Sequence, residues 1–185
     1  SVVVTCYNHE KYIEQCLRSV FNQTYTNIEL IVLDDGSTDS STQIIQEVLK
    51  DSPFETTFET HENLGVVNNR NLGLELIRGD YLLFVDSDNY LDADYVEQLC
   101  SKLTETNADI VYCDLFNPEK EEFYLKSREF DLTAFLNASF IDNCSLIRRS
   151  IIGNARYDEM LNRKKLEDYD FLLNLIINNG AKAVY

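Results

Sequence analysis

Tyr81-Leu82-Leu83-Phe84-Val85-Asp86-Ser87-Asp88 carries an unbroken apolar run straight into two aspartates. A short apolar run bounded by polar residues is the pattern of a strand buried on both faces, as in a parallel sheet. Core packing does not account for its acidic end. In extended backbone alternate side chains share a face, so Asp86 and Asp88 can point the same way. Two hard oxygen ligands so placed suit Mg2+ or Mn2+, which takes one or two carboxylates and completes its shell with phosphate oxygens and water. A turn, or a cap on the next helix, would use the same residues.

Upstream, Ser1-Val2-Val3-Val4-Thr5 and Ile28-Glu29-Leu30-Ile31-Val32-Leu33 read as two further buried strands. They break in Cys6-Tyr7-Asn8-His9 and Asp34-Asp35-Gly36-Ser37. Apolar residues at helical spacing predict helices over 12–22, around Ile44, Ile45, Val48 and Leu49, over 66–77 and over 92–106. Thr38, Asp39 or Ser40 is the expected cap of the second, and Gly79 the expected stop of the third. A weaker strand is expected over 54–61 and another strand over 108–112. This alternation predicts an α/β sandwich around a mostly parallel central sheet flanked by helices. In such sheets ligands bind beyond the carboxyl ends of the strands. Three strands end there in polar groups, at Tyr7-Asn8, Asp34-Asp35 and Asp86-Ser87-Asp88. Beyond Pro118 the pattern loosens. Residues 119–130 read as a charged edge strand or lid, 132–137 as a short helix, 144–147 as a strand and 166–178 as a helix closed by Gly180.

The 185 residues suit one domain, 1–185, with a full core. A net charge of −16 repels nucleic acid and anionic lipid. It would also repel a diphosphate, so an anionic substrate needs a cation supplied locally. With only His9 and His61 as histidines, a metal must be held largely by oxygen. The five cysteines form no Cys-x-x-Cys pair and read as core thiols of a reducing compartment. No run reaches the roughly 20 apolar residues of a membrane span. Ser1 opens directly into a strand, so the expected chain is a cut-out domain without a signal peptide.

Four other clusters carry possible chemistry. Asp34-Asp35 could cap the following helix or accept from the N–H of a base and the hydroxyls of a ribose. Tyr7 offers a flat ring for base stacking. Arg70, on an otherwise neutral helix, could pair with an aspartate or reach a phosphate or base. Glu167-Asp168 opens the last helix, where carboxylates favour the dipole, or supplies a general base.

Together these segments resemble the family 2 glycosyltransferases of the GT-A fold, a Rossmann-like architecture. The matching stretches are Val3-Val4-Thr5-Cys6-Tyr7-Asn8, Ser19-Val20-Phe21-Asn22-Gln23-Thr24-Tyr25, Glu29 through Asp39, Asn63-Leu64-Gly65, Arg70-Asn71-Leu72-Gly73, Gly79 through Asp88, and Glu167-Asp168, in the family's order. The resemblance implies a half binding the sugar nucleotide, 1–115, and an acceptor-side half, 116–185. It implies that Thr5 and Tyr7 flank the base, Asp35 accepts from it, and Asp34 supports that loop. Arg70 and Ser87 would border the nucleotide. Asp86 would sit against ribose or metal, and Asp88 would be the principal metal ligand. Asp168 would be the catalytic base, with Glu167 second. The implied donor is a nucleoside-diphosphate sugar, with uridine as the base. The implied acceptor is a hydroxyl of a glycan, lipid-linked or protein-linked molecule of a bacterial envelope pathway. The implied location is the cytoplasm, peripheral to the membrane through parts outside this chain. Relatives often continue past the base helix with elements that close the acceptor site.

A nicotinamide oxidoreductase is argued against, because no Gly-x-Gly-x-x-Gly follows the first strand. A phosphoacceptor signalling domain lacks the expected strand-end lysine. A non-catalytic nucleotide- or carbohydrate-binding relative of the same fold is the alternative reading.

Overall fold

The computed structural model describes residues 1–118 and 120–185. Glu119, where the charged segment was expected to begin, lies outside the described residues. Four strands, β1 (Val2–Cys6), β2 (Glu29–Asp34), β3 (Glu55–Thr60) and β4 (Tyr81–Asp86), pair in parallel in the order β3-β2-β1-β4. Helices α1 (Ile13–Phe21), α2 (Ser41–Val48) and α3 (Val66–Leu76) connect them. Extended geometry sends alternate residues to opposite faces. Val3, Ile31, Leu33, Leu82 and Phe84 therefore share one core with α3, while Val2, Val4, Leu30, Val32, Leu83 and Val85 share a second with α1 and α2. Both faces are covered, which is why these strands read as continuous apolar runs.

After α4 (Tyr95–Thr106) come β5 (Ile110–Val111), a hairpin of β6 (Leu115–Asn117) and β7 (Glu122–Leu125), α5 (Leu132–Asn137), β8 (Leu146–Arg148), α6 (Arg149–Ile152), α7 (Glu167–Ile177) and β9 (Ala183–Val184). The main sheet has seven strands, β3-β2-β1-β4-β8-β5-β9, of which β8 runs antiparallel to both neighbours. The sheet is mostly parallel, as expected. The inverted strand was not foreseen.

Some boundaries differ from the sequence expectation. The fourth helix starts at Tyr95 and not at 92, because the carbonyls of Asp92 and Ala93 accept from the Gln23 side chain (2.7 Å) and the Thr24 N–H (2.8 Å). Gly79 is not a helix stop. Helix α3 ends at Leu76, and a Cβ on Gly79 would lie 2.7 Å from the Ser1 amino nitrogen. Gly73 has a packing role, since a Cβ there would lie 2.9 Å from Val3 Cγ1, so it lets α3 approach the sheet closely. Among the described residues no helix is long and apolar enough to cross a membrane.

Candidate active site

The chain leaves β1 toward β2 on one side, and returns at β4 on the other. Loops diverge at such a switch point and open a crevice beyond the strand ends. The register aligns those ends, pairing Thr5 with Asp86 and Cys6 with Asp34. A cleft of about 600 Å3 lies there, lined among others by Tyr7, Asp35, Arg70, Asp86, Asp88 and Arg163. That is the size of a ligand site. A second hollow, about 360 Å3, sits at the opposite edge beside Ser1, Glu29 and Arg78. There Arg78 pairs with Glu29 at 2.8 Å and the Ser1 amino group donates to Tyr81 O at 2.8 Å, so its polar groups serve each other.

Arg70 is the hub of the cleft floor. It is 4% exposed, and its Nη2 donates to Asp86 Oδ1 (3.0 Å) and Oδ2 (3.3 Å) while Nη1 donates to Glu167 Oε1 (2.9 Å). Burial works against the charge, but Asp86 and then Glu167 outweigh it and hold the guanidinium's proton more tightly than usual. The guanidinium also lies 5.6 Å over the Tyr157 ring, which stacks on Phe171. Arg70 Nε is buried without a partner among the described residues. Thr5 Oγ1 adds a bond to Asp86 Oδ1 at 3.2 Å. Of the two readings open for Arg70, the pairing with an aspartate is thus present.

Asp34 and Asp35 are both buried and both organise backbone. Asp34 accepts from Ser37, from Thr42 Oγ1 (2.6 Å) and from Thr60 Oγ1 (3.2 Å), holding the turn between β2 and α2. The N-cap of the helix is Ser40, which makes no side-chain cap bond; Asp39, one residue earlier, accepts from the first helical N–H, that of Ser41, at 2.9 Å. Asp35 accepts from Leu64 N (2.7 Å) and Gly65 N (2.9 Å), so it shapes the loop that starts α3 while lining the cleft. Asn8, at φ 56°, accepts from Thr38 N at 2.7 Å and ties the β1 exit to that same turn.

Tyr7 is 45% exposed and lines the cleft, so its ring is open to a ligand there. Ser87 is buried and bonds His9 Nδ1 at 2.7 Å, a pairing that no local signal announced. Asp88 is exposed and makes no hydrogen bond or ion pair among the described residues. Among them no three His, Cys, Asp or Glu side chains converge as a cage for a metal. One open carboxylate fits Mg2+ or Mn2+ that keeps its waters and shares phosphate oxygens, a mode that needs few protein ligands. Asp86, already engaged by Arg70, is the poorer donor.

Glu167 and Asp168 open α7 as expected. Glu167 is committed to Arg70, while Asp168 Oδ1 accepts from the Tyr169 N–H at 2.8 Å. Asp142 joins this neighbourhood without having been anticipated. Burial pushes its carboxyl above the ordinary range, the Cys144 N–H at 2.8 Å pulls it back, and Asp86 and Asp168 push it further up. It arrives because β8 is inverted: the loop before β8 reaches the carboxyl edge of β4, where Leu146 pairs with Leu83.

Comparison with known proteins agrees with this geometry. The pattern of Glycosyl transferase family 2 matches residues 1–169. An uncharacterised glycosyltransferase of Haemophilus influenzae is 35% identical over 191 residues, covering 100% of this chain and 74% of its own length. Glycosyltransferase GlyA of Streptococcus pneumoniae is 36% identical over 147 residues, covering 77% of this chain and 21% of its own. The crystal structure of S. aureus TarS 1-349 superimposes with a TM-score of 0.81 and 25% identity, over 99% of this chain and 56% of that one; the same protein has been solved in complex with UDP. The chain thus spans about a fifth of GlyA and just over half of TarS 1-349.

Proposed function

The chain belongs to glycosyl transferase family 2, and we propose that it is the catalytic domain of an inverting glycosyltransferase. The donor is a nucleoside-diphosphate sugar with uridine as its base, and the acceptor is a hydroxyl of a glycan, lipid-linked or protein-linked molecule. The observation that carries this reading is the convergence of Tyr7, Asp35, Arg70, Asp86 and Asp88 at the switch-point cleft. The likeness to TarS, solved with UDP, supports the choice of base.

In this reading Tyr7 stacks on the base and Asp35 presents its remaining lone pairs to it. Thr5 borders the nucleotide. Ser87, buried and bonded to His9, supports the cleft wall from behind and, against expectation, does not reach the ligand. Asp34 keeps the Asp35 loop in shape. Asp86, oriented by Arg70 and Thr5, meets the ribose hydroxyls. Asp88 would hold Mn2+ or Mg2+, with Asp86 as a lesser ligand, and that cation would neutralise charge on the departing diphosphate. Asp168 removes the proton from the acceptor hydroxyl. Glu167 cannot serve equally, because Arg70 already occupies it. The acceptor oxygen then attacks the anomeric carbon from the face away from the diphosphate, which inverts that centre without a covalent enzyme intermediate. Holding both substrates in line supplies much of the acceleration. The reaction belongs to the cytoplasm, where sugar nucleotides are held.

Thermal unfolding with UDP, GDP and NADH, each with and without Mn2+, tests the donor class. A rise in midpoint with UDP that grows when Mn2+ is added is expected from ligand linkage. A rise with NADH alone, or with no nucleotide, would sink the reading.

A further inference from the structure

Two charged groups in the cleft lack an ion pair among the described residues, Asp88 and Arg163. Every other cleft charge is committed: Asp86 to Arg70, and Asp35 to two backbone N–H groups. Arg163 sits on residues 162–166, the segment that joins the turn Glu159–Leu161 to α7. Its φ is 60° and that of Leu166 is 75°. Left-handed backbone at a residue other than glycine persists only where the surroundings enforce it, and such strain gathers at binding sites.

The enforcing contacts are specific. Asn162 Nδ2 donates to Leu64 O at 2.6 Å, and its Oδ1 accepts from Val67 N at 3.3 Å. Arg163 Nη2 donates to Asn63 O at 2.9 Å and to Asn63 Oδ1 at 2.7 Å. Residues 162–163 are therefore pinned to the loop that Asp35 shapes. Gly65, at φ 88°, admits the clasp, since a Cβ there would lie 2.4 Å from Asn162 Oδ1. Asn63 is neutral, so its contacts orient the guanidinium without cancelling its charge. The N–H groups on Nε and Nη1 make no hydrogen bond among the described residues. Lys164 and Lys165 follow, both exposed and without an ion pair there. Arg163 at the cleft and the two exposed lysines that follow it form a run of three cations against the trend of a chain carrying −16.

We infer that residues 163–165 form an anion subsite in which Arg163 contacts the diphosphate of the bound nucleotide, with Lys164 and Lys165 adding local positive potential. The inference rests on the nucleotide-sugar reading above. A guanidinium fork matches two phosphate oxygens, and its charge never titrates away. Charge on the diphosphate is then divided between Arg163 and whatever cation Asp88 holds. This explains how an acidic domain with one open carboxylate can hold a polyanion.

Calorimetric titration of UDP, uridine and inorganic pyrophosphate into the wild type, Arg163→Gln, Arg163→Lys and Lys164→Gln/Lys165→Gln tests it. Arg163→Gln should weaken UDP and pyrophosphate by about tenfold or more, the scale of a lost charge-assisted contact, and leave uridine unchanged. Arg163→Lys should recover part of that loss. The double lysine variant, which leaves the Asn63 contacts intact, should weaken UDP by a few-fold and flatten its salt dependence. Equal losses for uridine and UDP would mean that Arg163 only braces the 63–65 loop, and would overturn the subsite. Wild-type binding of UDP and pyrophosphate by Arg163→Gln would overturn it too. If the wild type binds pyrophosphate but not UDP, the nucleotide reading fails while the anion subsite stands; if it binds neither, both fail.

Discussion

Residues 1–115 and 116–185 place their functional groups by different physics. In the first part a buried parallel sheet sets the positions: Thr5 pairs with Asp86 and Cys6 with Asp34, so polar groups of three adjacent strands come to the same carboxyl edge. In the second part no strand among the described residues exceeds four residues, and position is set by the pairing of β8 with β4, by side chains such as Phe135, Tyr157 and Phe171 that join the core of Val3, Leu33 and Phe84, and by specific polar contacts to the first part. Asn71 exchanges bonds with the Tyr157 backbone (2.9 and 3.0 Å), Asn162 clasps Leu64, and Glu167 meets Arg70. The first part thus supplies a strand edge in register, and the second brings further charged groups to it through a shared core and a few specific bonds.

That contrast can be broken at four points. Asp168→Asn should cost the most, about 10²–10⁴ in turnover as for loss of a general base, with UDP affinity retained. Loss of UDP binding by that variant would contradict the role given to Asp168. Arg70→Met removes the ion pair that joins the two parts and leaves Asp86 and Glu167 uncompensated. Urea unfolding should show a loss of about 3–5 kcal/mol, the scale for breaking a buried ion pair, and an unchanged midpoint would refute the hub. Asp88→Ala should lower kcat by about 10²–10³ while leaving the unfolding curve in place, since Asp88 holds nothing together. Near-normal transfer would remove it from the site. Gly65→Ala should have the smallest effect, about 1–3 kcal/mol of stability, because it forces a Cβ into left-handed backbone and against Asn162. Combined with Asn162→Ala the penalty should shrink, and a fully additive pair would show that the clasp is not what Gly65 accommodates.

The strand edge was legible from the chain alone. Continuous apolar runs at residues 2–6, 29–34 and 81–86 became parallel strands because both faces of the sheet are covered. Their abrupt polar ends marked the cleft, since nothing in a core accounts for Asp34-Asp35 or Asp86. Much of the second part was not legible. Leu146–Arg148 reads as a strand in either direction, because three residues carry no sign of orientation. Its inversion is what brings Asp142 beside Asp86 and Asp168. Arg163 lies in a short charged run that carries no local sign of a cleft. His9 and Ser87, 78 residues apart, had no reason to be paired until the sheet closed.

Local patterning therefore determined the layered α/β architecture, the strand edge where the cleft opens and most of the residues that gather there, because periodicity and polarity act over a few neighbours. Only the tertiary structure decided which of those residues are already spent. Asp34, Asp35, Asp86 and Glu167 are all carboxylates in the sequence, yet each is neutralised or bonded by groups beyond its own turn, while Asp88 and Arg163 make no ion pair among the described residues. Hydrogen bonds form within about 3 Å, and no local pattern reports which side chains, 30 or 97 positions apart, will come that near.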